Sequence, residues 1–89
     1  MIQLTDHLFV TADKRSYIVG EPRQRVGKGM EMDSPSYFTT MAQAVRYAVS
    51  QALKERIAND QITTLRQFLE EQERLQADFI KKLEPLEGR

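Results

Sequence analysis

The 89-residue chain contains no cysteine, no tryptophan and a single histidine, His7. The absence of cysteine excludes a disulfide scaffold, a thiolate zinc site and a cysteine nucleophile. A serine or threonine nucleophile needs a base, and His7 fits a surface or strand-edge position better than a catalytic one. We therefore predict that the protein is not an enzyme, and that it carries neither a metal nor any other cofactor.

A dense acidic run in the second half of the chain does not alter that prediction. Glu70 and Glu71 are expected to point away from Glu73 on a helix, and Arg66 and Arg74 are expected to neutralise Glu70. The run also lacks the spacing of a calcium loop. It is therefore predicted to be a solvated helix face.

The chain also has no net charge, because 13 lysine and arginine residues balance 13 aspartate and glutamate residues. A neutral chain argues against nucleic-acid binding by bulk electrostatics, although a local basic patch is compatible with it. The apolar runs are too short to span a membrane, and no basic-then-apolar leader opens the chain. These features predict a cytoplasmic protein of one domain, residues 1–89, with a thin core.

Glycine and proline are absent between Pro35 and Pro85, whereas the residues up to Pro35 are rich in both. This order predicts an α+β fold, in which a small antiparallel β-meander of two to three strands precedes two α-helices. The meander is assigned to residues 1–38. The β-prone segments 8–11 and 17–19 are joined by a polar tetrapeptide, which predicts a hairpin.

The remainder of the β region is less regular. Residues 30–32 alternate in polarity as a third strand would, and Pro22 is expected at a strand end or an edge. The tripeptide Gly27-Lys28-Gly29 lacks the Walker pattern, so we predict a hairpin turn there and no phosphate loop.

The first helix is predicted over residues 40–58. Thr40 and Gln43 have the spacing of a capping box, in which each side chain satisfies a free backbone amide of the first turn. Apolar residues then recur at helical spacing on one broad face. Asn59 is able to adopt the left-handed conformation that ends a helix.

The second helix is predicted over residues 63–84, long and amphipathic, with a second capping box at Thr64 and Gln67. Pro85 and Gly88 are expected to end it. About twenty residues make a rod of roughly 30 Å, which is long for a small sheet to cover. Part of its apolar face is therefore expected to extend beyond the core of the domain.

Two glutamines, Gln72 and Gln76, lie at the centre of that apolar face. Buried amides need hydrogen-bond partners, and in a helix seam they can fix the register and the oligomeric state. Alternatively, this stretch lies over solvent, beyond the edge of the core. Both interpretations leave the helix partly uncovered, so we predict association with a partner or as a homo-oligomer such as a dimer. The predicted interface consists of Leu65, Leu69, Gln72, Gln76, Phe79 and Leu83.

A basic segment occupies positions 14–28, where five basic residues stand against one acidic residue, a balance of +4. If the two hairpins project on the same side, this segment could contact phosphate or an acidic protein surface. The alternative is that loops are polar and that cations on strand edges discourage aggregation. The candidate contact residues are Lys14, Arg15, Arg23, Arg25 and Lys28.

Two segments carry a resemblance, PSYFTTMAQA at 35–44 and DQITTLRQFL at 60–69. Here the chain resembles small phage and mobile-element proteins, mostly domains of unknown function. They share an N-terminal hairpin region, a Tyr-Phe segment entering a helix and a charged C-terminal helix. The resemblance covers most of the chain in outline, but its motifs are short and structural. Asp33-Ser34-Pro35 departs from the uninterrupted strand of that pattern and weakens the prediction of a third strand.

The resemblance implies a small accessory protein of a phage, prophage or conjugative element, acting in the host cytoplasm. Proteins of that kind often bind and inhibit host machinery, including restriction and CRISPR nucleases. Our leading hypothesis is a non-enzymatic protein that binds a host or phage protein by occluding its surface. A host-defence nuclease complex is the target that the resemblance implies. The alternative is a small nucleic-acid-binding protein that uses the basic hairpin loops.

Overall fold

The computed structural model describes the backbone of residues 1–25 and 29–87, and the side chains of residues 1–22 and 35–85. Over these residues the chain forms a four-stranded antiparallel sheet followed by two helices, which confirms the α+β prediction. Contacts within the chain divide it into two compact units, Met1–Ala44 and Val45–Arg89. The elements are β1 (Ile2–Gln3), β2 (Phe9–Ala12), β3 (Tyr17–Arg25), β4 (Gly29–Phe38), α1 (Met41–Ala58) and α2 (Leu65–Glu87).

The sheet is a meander in the order β1-β2-β3-β4, with each strand antiparallel to its neighbours. The short strand β1 was not predicted. The predicted first hairpin is present, and Asp13 closes its turn: its Oδ1 accepts hydrogen bonds from the backbone amides of Arg15 (2.8 Å) and Ser16 (2.7 Å). Both bonds favour the ionised carboxylate, so they lower the pKa of Asp13 below its ordinary value.

A β-bulge lies where the sequence predicted an interruption. Between the pairs Val19↔Ser36 and Glu21↔Asp33, the register advances two residues on β3 but three on β4. Bulges tolerate proline, because part of the hydrogen-bond ladder is already broken there. The predicted third strand is therefore present as β4, which continues through Pro35 to Phe38 with a bulge beside Pro35.

Pro22 occupies the edge-like position expected for it. The pairing of β2 with β3 ends at Phe9↔Gly20, whereas β3 continues beside β4, with Pro22 opposite Met32. A missing amide donor therefore costs no ladder bond on the β2 side. The predicted turn at Gly27 and Lys28 lies outside the described residues.

Helix α1 begins and ends with local hydrogen bonds. Thr40 Oγ1 accepts from the amide of Gln43 (3.2 Å), which is half of the predicted capping box. At the other end, the left-handed residue is Asp60 (φ 58°) and not Asn59. The amide of Asp60 donates to the carbonyl of Ile57 (3.1 Å), and that of Gln61 to the carbonyl of Arg56 (2.8 Å). This is a Schellman motif, in which the left-handed residue follows the cap residue.

Helix α2 has the complete reciprocal capping box that was predicted. The amide of Gln67 donates to Thr64 Oγ1 (3.1 Å), and Gln67 Oε1 accepts from the amides of Thr64 (3.3 Å) and Thr63 (2.8 Å). Helix α2 spans Leu65–Glu87, so it begins two residues later and ends three residues later than the predicted range 63–84, and Pro85 does not end it. Only two helical residues follow Pro85, so the proline removes one donor at the helix end and does not break a long helix.

Candidate functional site

Burial divides the apolar residues of α2 into a buried and an exposed stripe, which meet at the helical angle shared by Leu65 and Leu83. Leu75, Phe79 and Leu83 are at most 3% exposed and belong to the core. Leu65, Leu69 and Ile80 are 73%, 53% and 43% exposed, respectively. With the exposed Gln72 and Gln76, they fall within an arc of about 80° on the helix. We define the exposed apolar face of α2 as Leu65, Leu69, Gln72, Gln76 and Ile80.

The six residues predicted as an interface are therefore placed in two environments. Leu65, Leu69, Gln72 and Gln76 are exposed, whereas Phe79 and Leu83 have 0% exposure and face no solvent. Ile80 was not among the six, yet it is exposed beside Leu69 in helical projection. On a helical projection, Ile80 lies about 20° from Leu69, and this angle could have placed Ile80 in the predicted interface.

The five candidate basic residues are not brought together by the meander. Lys14 and Arg15 are exposed in the turn that precedes β3. Arg23 and Arg25 lie at the other end of this nine-residue strand, about 25 Å away along it. In the register, Arg23 stands opposite Glu31, and Lys28 lies outside the described residues. Lys14 and Arg15 are therefore separated from Arg23 and Arg25 by the length of β3.

A carboxylate shared by two arginines links α1 to α2 within the unit Val45–Arg89. Arg74 donates two hydrogen bonds to the Glu71 carboxylate, from Nη2 to Oε2 (2.6 Å) and from Nε to Oε1 (3.2 Å). Arg56 of α1 donates to Oε2 of the same carboxylate. We expected Arg74 to neutralise Glu70, and this was wrong. Glu70 is paired with Arg66 (3.5 Å), one turn earlier on the helix.

A cleft of about 360 Å³ lies beside this ion-pair cluster. Its charged groups are already engaged, Arg56 with Glu71 and Glu70 with Arg66. Gln67 is occupied by the capping box. The ion pair of Arg56 with Glu71 at this cleft joins the two helices. The cleft is lined by Arg56, Gln61, Ile62, Gln67, Glu70 and Glu71.

The pKa of Glu71 is lowered from its ordinary 4.5, first by the hydrogen bond from Arg74 and then by the charge of Arg56. A carboxyl whose pKa is lower in the folded than in the unfolded state stabilises the fold above the unfolded pKa. That contribution is lost as pH falls through the folded value. We expect Glu71→Gln to cost roughly 0.2–1 kcal/mol at pH 7, and progressively less as pH falls below 4.5 toward the lowered folded pKa.

Urea unfolding of the wild type and Glu71→Gln at a series of pH values measures this difference. Glu84→Gln is the matched control, since Glu84 is exposed on the same helix. If the difference in the free energy of unfolding between wild type and Glu71→Gln stayed constant from pH 7 down to pH 3, the stabilising role of the ionised Glu71 would be contradicted.

His7 lies in a polar surface contact, with Nδ1 3.4 Å from Glu21 Oε2 and both side chains more than half exposed. Within the described part of the chain, no group of three or more histidine, cysteine, aspartate or glutamate residues is arranged to hold a metal ion. Over the same residues, neither helix combines the length and apolar character needed to cross a bilayer.

No protein-family model, curated protein or solved structure matches this chain. The exposed apolar face of α2 is therefore interpreted from its own geometry. The resemblance to phage and mobile-element proteins stays a prediction.

Proposed function

We propose that this chain is a protein-binding module that acts through the exposed apolar face of α2. The observation that carries the proposal is the exposure of Leu65, Leu69 and Ile80 on one side of one helix. Single exposed apolar residues are common on protein surfaces, but a row of them at helical spacing is typical of a helix that docks against another protein. Burying two or three such side chains supplies several kcal/mol.

The non-enzymatic part of the proposal is supported by the environment of the ionisable groups. His7 is exposed beside Glu21, and the Glu71 cluster is occupied by its own arginines. Both arrangements are surface ion pairs of the kind common on solvated protein faces. Binding is therefore the activity that these residues support best.

The biological setting remains part of the proposal and rests on the resemblance. We propose an accessory protein of a phage or mobile element that acts in the host cytoplasm. It would occlude the surface of a host or phage protein, such as a nuclease complex of host defence. The nucleic-acid alternative has less support, since Lys14 and Arg15 are separated from Arg23 and Arg25 by the length of β3.

Replacing Leu65 and Leu69 together with glutamine should weaken partner binding at least tenfold. Glutamine preserves charge and helix propensity but removes two apolar side chains from the face. Because both leucines are exposed, the free energy of unfolding should change by less than about 1 kcal/mol. The measurement is affinity capture with the tagged full chain, followed by calorimetric titration of the purified captured protein.

Tyr37→Gln is the matched control, since Tyr37 is 62% exposed but lies on β4. It should capture and bind the partner as the wild type does. Equal binding by the wild type, the double leucine variant and Tyr37→Gln would overturn the proposal.

A further inference from the structure

We infer that the exposed apolar face of α2 docks against the same face of a second copy of this chain. The two helices run antiparallel, and Arg66 of each copy lies beside Glu73 of the other. This inference rests on the proposed function because it uses the same face of α2, for which a second copy and another protein would compete. The two-fold arrangement uses the same surface on both chains, as closed dimers commonly do.

The spacing of the face is that of a helix–helix seam. Leu65, Leu69, Gln72 and Gln76 follow one another in steps of four, three and four, the pattern of core positions in a coiled coil. In an antiparallel pair, Leu65 meets Gln76 of the second copy and Leu69 meets its Gln72. Two-fold symmetry repeats both contacts, giving four layers of one leucine and one glutamine each. Each amide then has a leucine opposite it and solvent at the rim of the seam.

Charge complementarity supports this pairing. Arg66 follows Leu65 and Glu73 follows Gln72, so both lie on the same edge of the seam. The antiparallel layers bring Arg66 of one helix to within about 3 Å, along the helix axis, of the level of Glu73 of the other, and symmetry makes the pair twice. Arg66 is available for this contact, because its side chain is 90% exposed and its pair with Glu70 is long, at 3.5 Å.

The neighbouring register is disfavoured. Sliding the helices by one heptad places Glu73 beside Glu73 of the second copy, which is a like-charge contact. It also sets Leu65 and Leu69 against Leu83 and Phe79, which are buried in their own chain. Charge and burial therefore both disfavour this shifted register. The balance of 13 basic and 13 acidic residues adds no net repulsion between two copies.

The seam is short, which sets its expected strength. From Leu65 to Gln76 it spans about 16 Å of helix. One such helix pair buries less area than the roughly 1,600 Å² of a standard stable interface. A reversible dimer in the micromolar range is therefore expected.

Sedimentation equilibrium of the full chain, from about 5 to 500 µM, tests the inference. Arg66→Glu and Glu73→Arg should each weaken dimerisation about tenfold, because each turns both charge pairs into like-charge contacts. An equimolar mixture of the two variants should dimerise with the dissociation constant of the wild type, since the heterodimer contains only opposite-charge pairs. The double variant should restore it for the same reason. Lys81→Glu, at an exposed position away from the face, is the control and should change little.

The outcomes separate this inference from the proposed function. A chain that stays monomeric at every concentration overturns the inference. So does a dimer in which the mixture of charge variants associates no better than either variant alone. If the monomeric chain still captures another protein, and Leu65→Gln with Leu69→Gln abolishes that capture, the proposed function stands. If neither self-association nor capture depends on the two leucines, both fail.

Discussion

Phe79→Ala should destabilise the protein by about 3–5 kcal/mol, the usual cost of removing a buried aromatic ring. Phe79 has 0% exposure, so truncation leaves a cavity that the surrounding residues cannot fully close. A small domain has a total stability of roughly 5–15 kcal/mol, and each kcal/mol shifts the Tm of a chain this size by about 4–8 °C. The Tm, followed by circular dichroism, should therefore fall by at least about 12 °C.

The matched control is Leu69→Ala on the same helix. Leucine and alanine are both strong helix formers, and Leu69 is 53% exposed, so its truncation should cost less than about 1 kcal/mol. The contrast tests the division of α2 into a buried and an exposed stripe. Equal losses from Phe79→Ala and Leu69→Ala would contradict that division.

Local signals in the sequence predicted local structure well. The capping box at Thr64 and Gln67 and the turn at Asp13 each depend on a few neighbouring residues, and both formed as expected. The end of α1 at Ala58 was predicted correctly, but the left-handed residue after it was expected at Asn59 and lies at Asp60. A Schellman motif is specified by hydrogen bonds over six residues, so residue preference alone does not locate its left-handed position.

Features that depend on distant residues were not predictable in the same way. The helical periodicity of α2 placed six residues on one arc, but it did not tell which part of that arc the rest of the chain covers. The bulge in β4 depends on its register with β3, which the residues around Pro35 do not specify alone. The prediction of one basic patch was conditional on both hairpins projecting on the same side. The structure places Lys14 and Arg15 before β3, and Arg23 and Arg25 at its other end.

The partner of Arg74 shows the same limit at short range. On a helix, Arg74 reaches Glu70 four residues earlier or Glu71 three residues earlier. The structure selects Glu71, where Arg56 of α1 binds as well. A contact from another helix therefore decided between two local options that are equivalent in the sequence.

Replacing both Gln72 and Gln76 with leucine should tighten self-association by two to three orders of magnitude. In the proposed antiparallel dimer every layer pairs one leucine with one glutamine, so the two substitutions convert all four layers into leucine pairs. A gain of about 1 kcal/mol per layer gives about 4 kcal/mol, or roughly a thousandfold in the dissociation constant. Sedimentation equilibrium at nanomolar to micromolar concentration measures the change.

The control carries the same chemical change elsewhere, as Gln3→Leu with Gln61→Leu, both at exposed positions outside the face. It should leave the dissociation constant within about twofold of the wild-type value. A similar increase in both double variants would indicate non-specific adhesion and not a seam. No increase in the Gln72 and Gln76 variant would mean that these amides do not face a partner. In the dimer, by contrast, the glutamines keep the association weak and reversible, because each occupies a core position that leucine would fill more favourably.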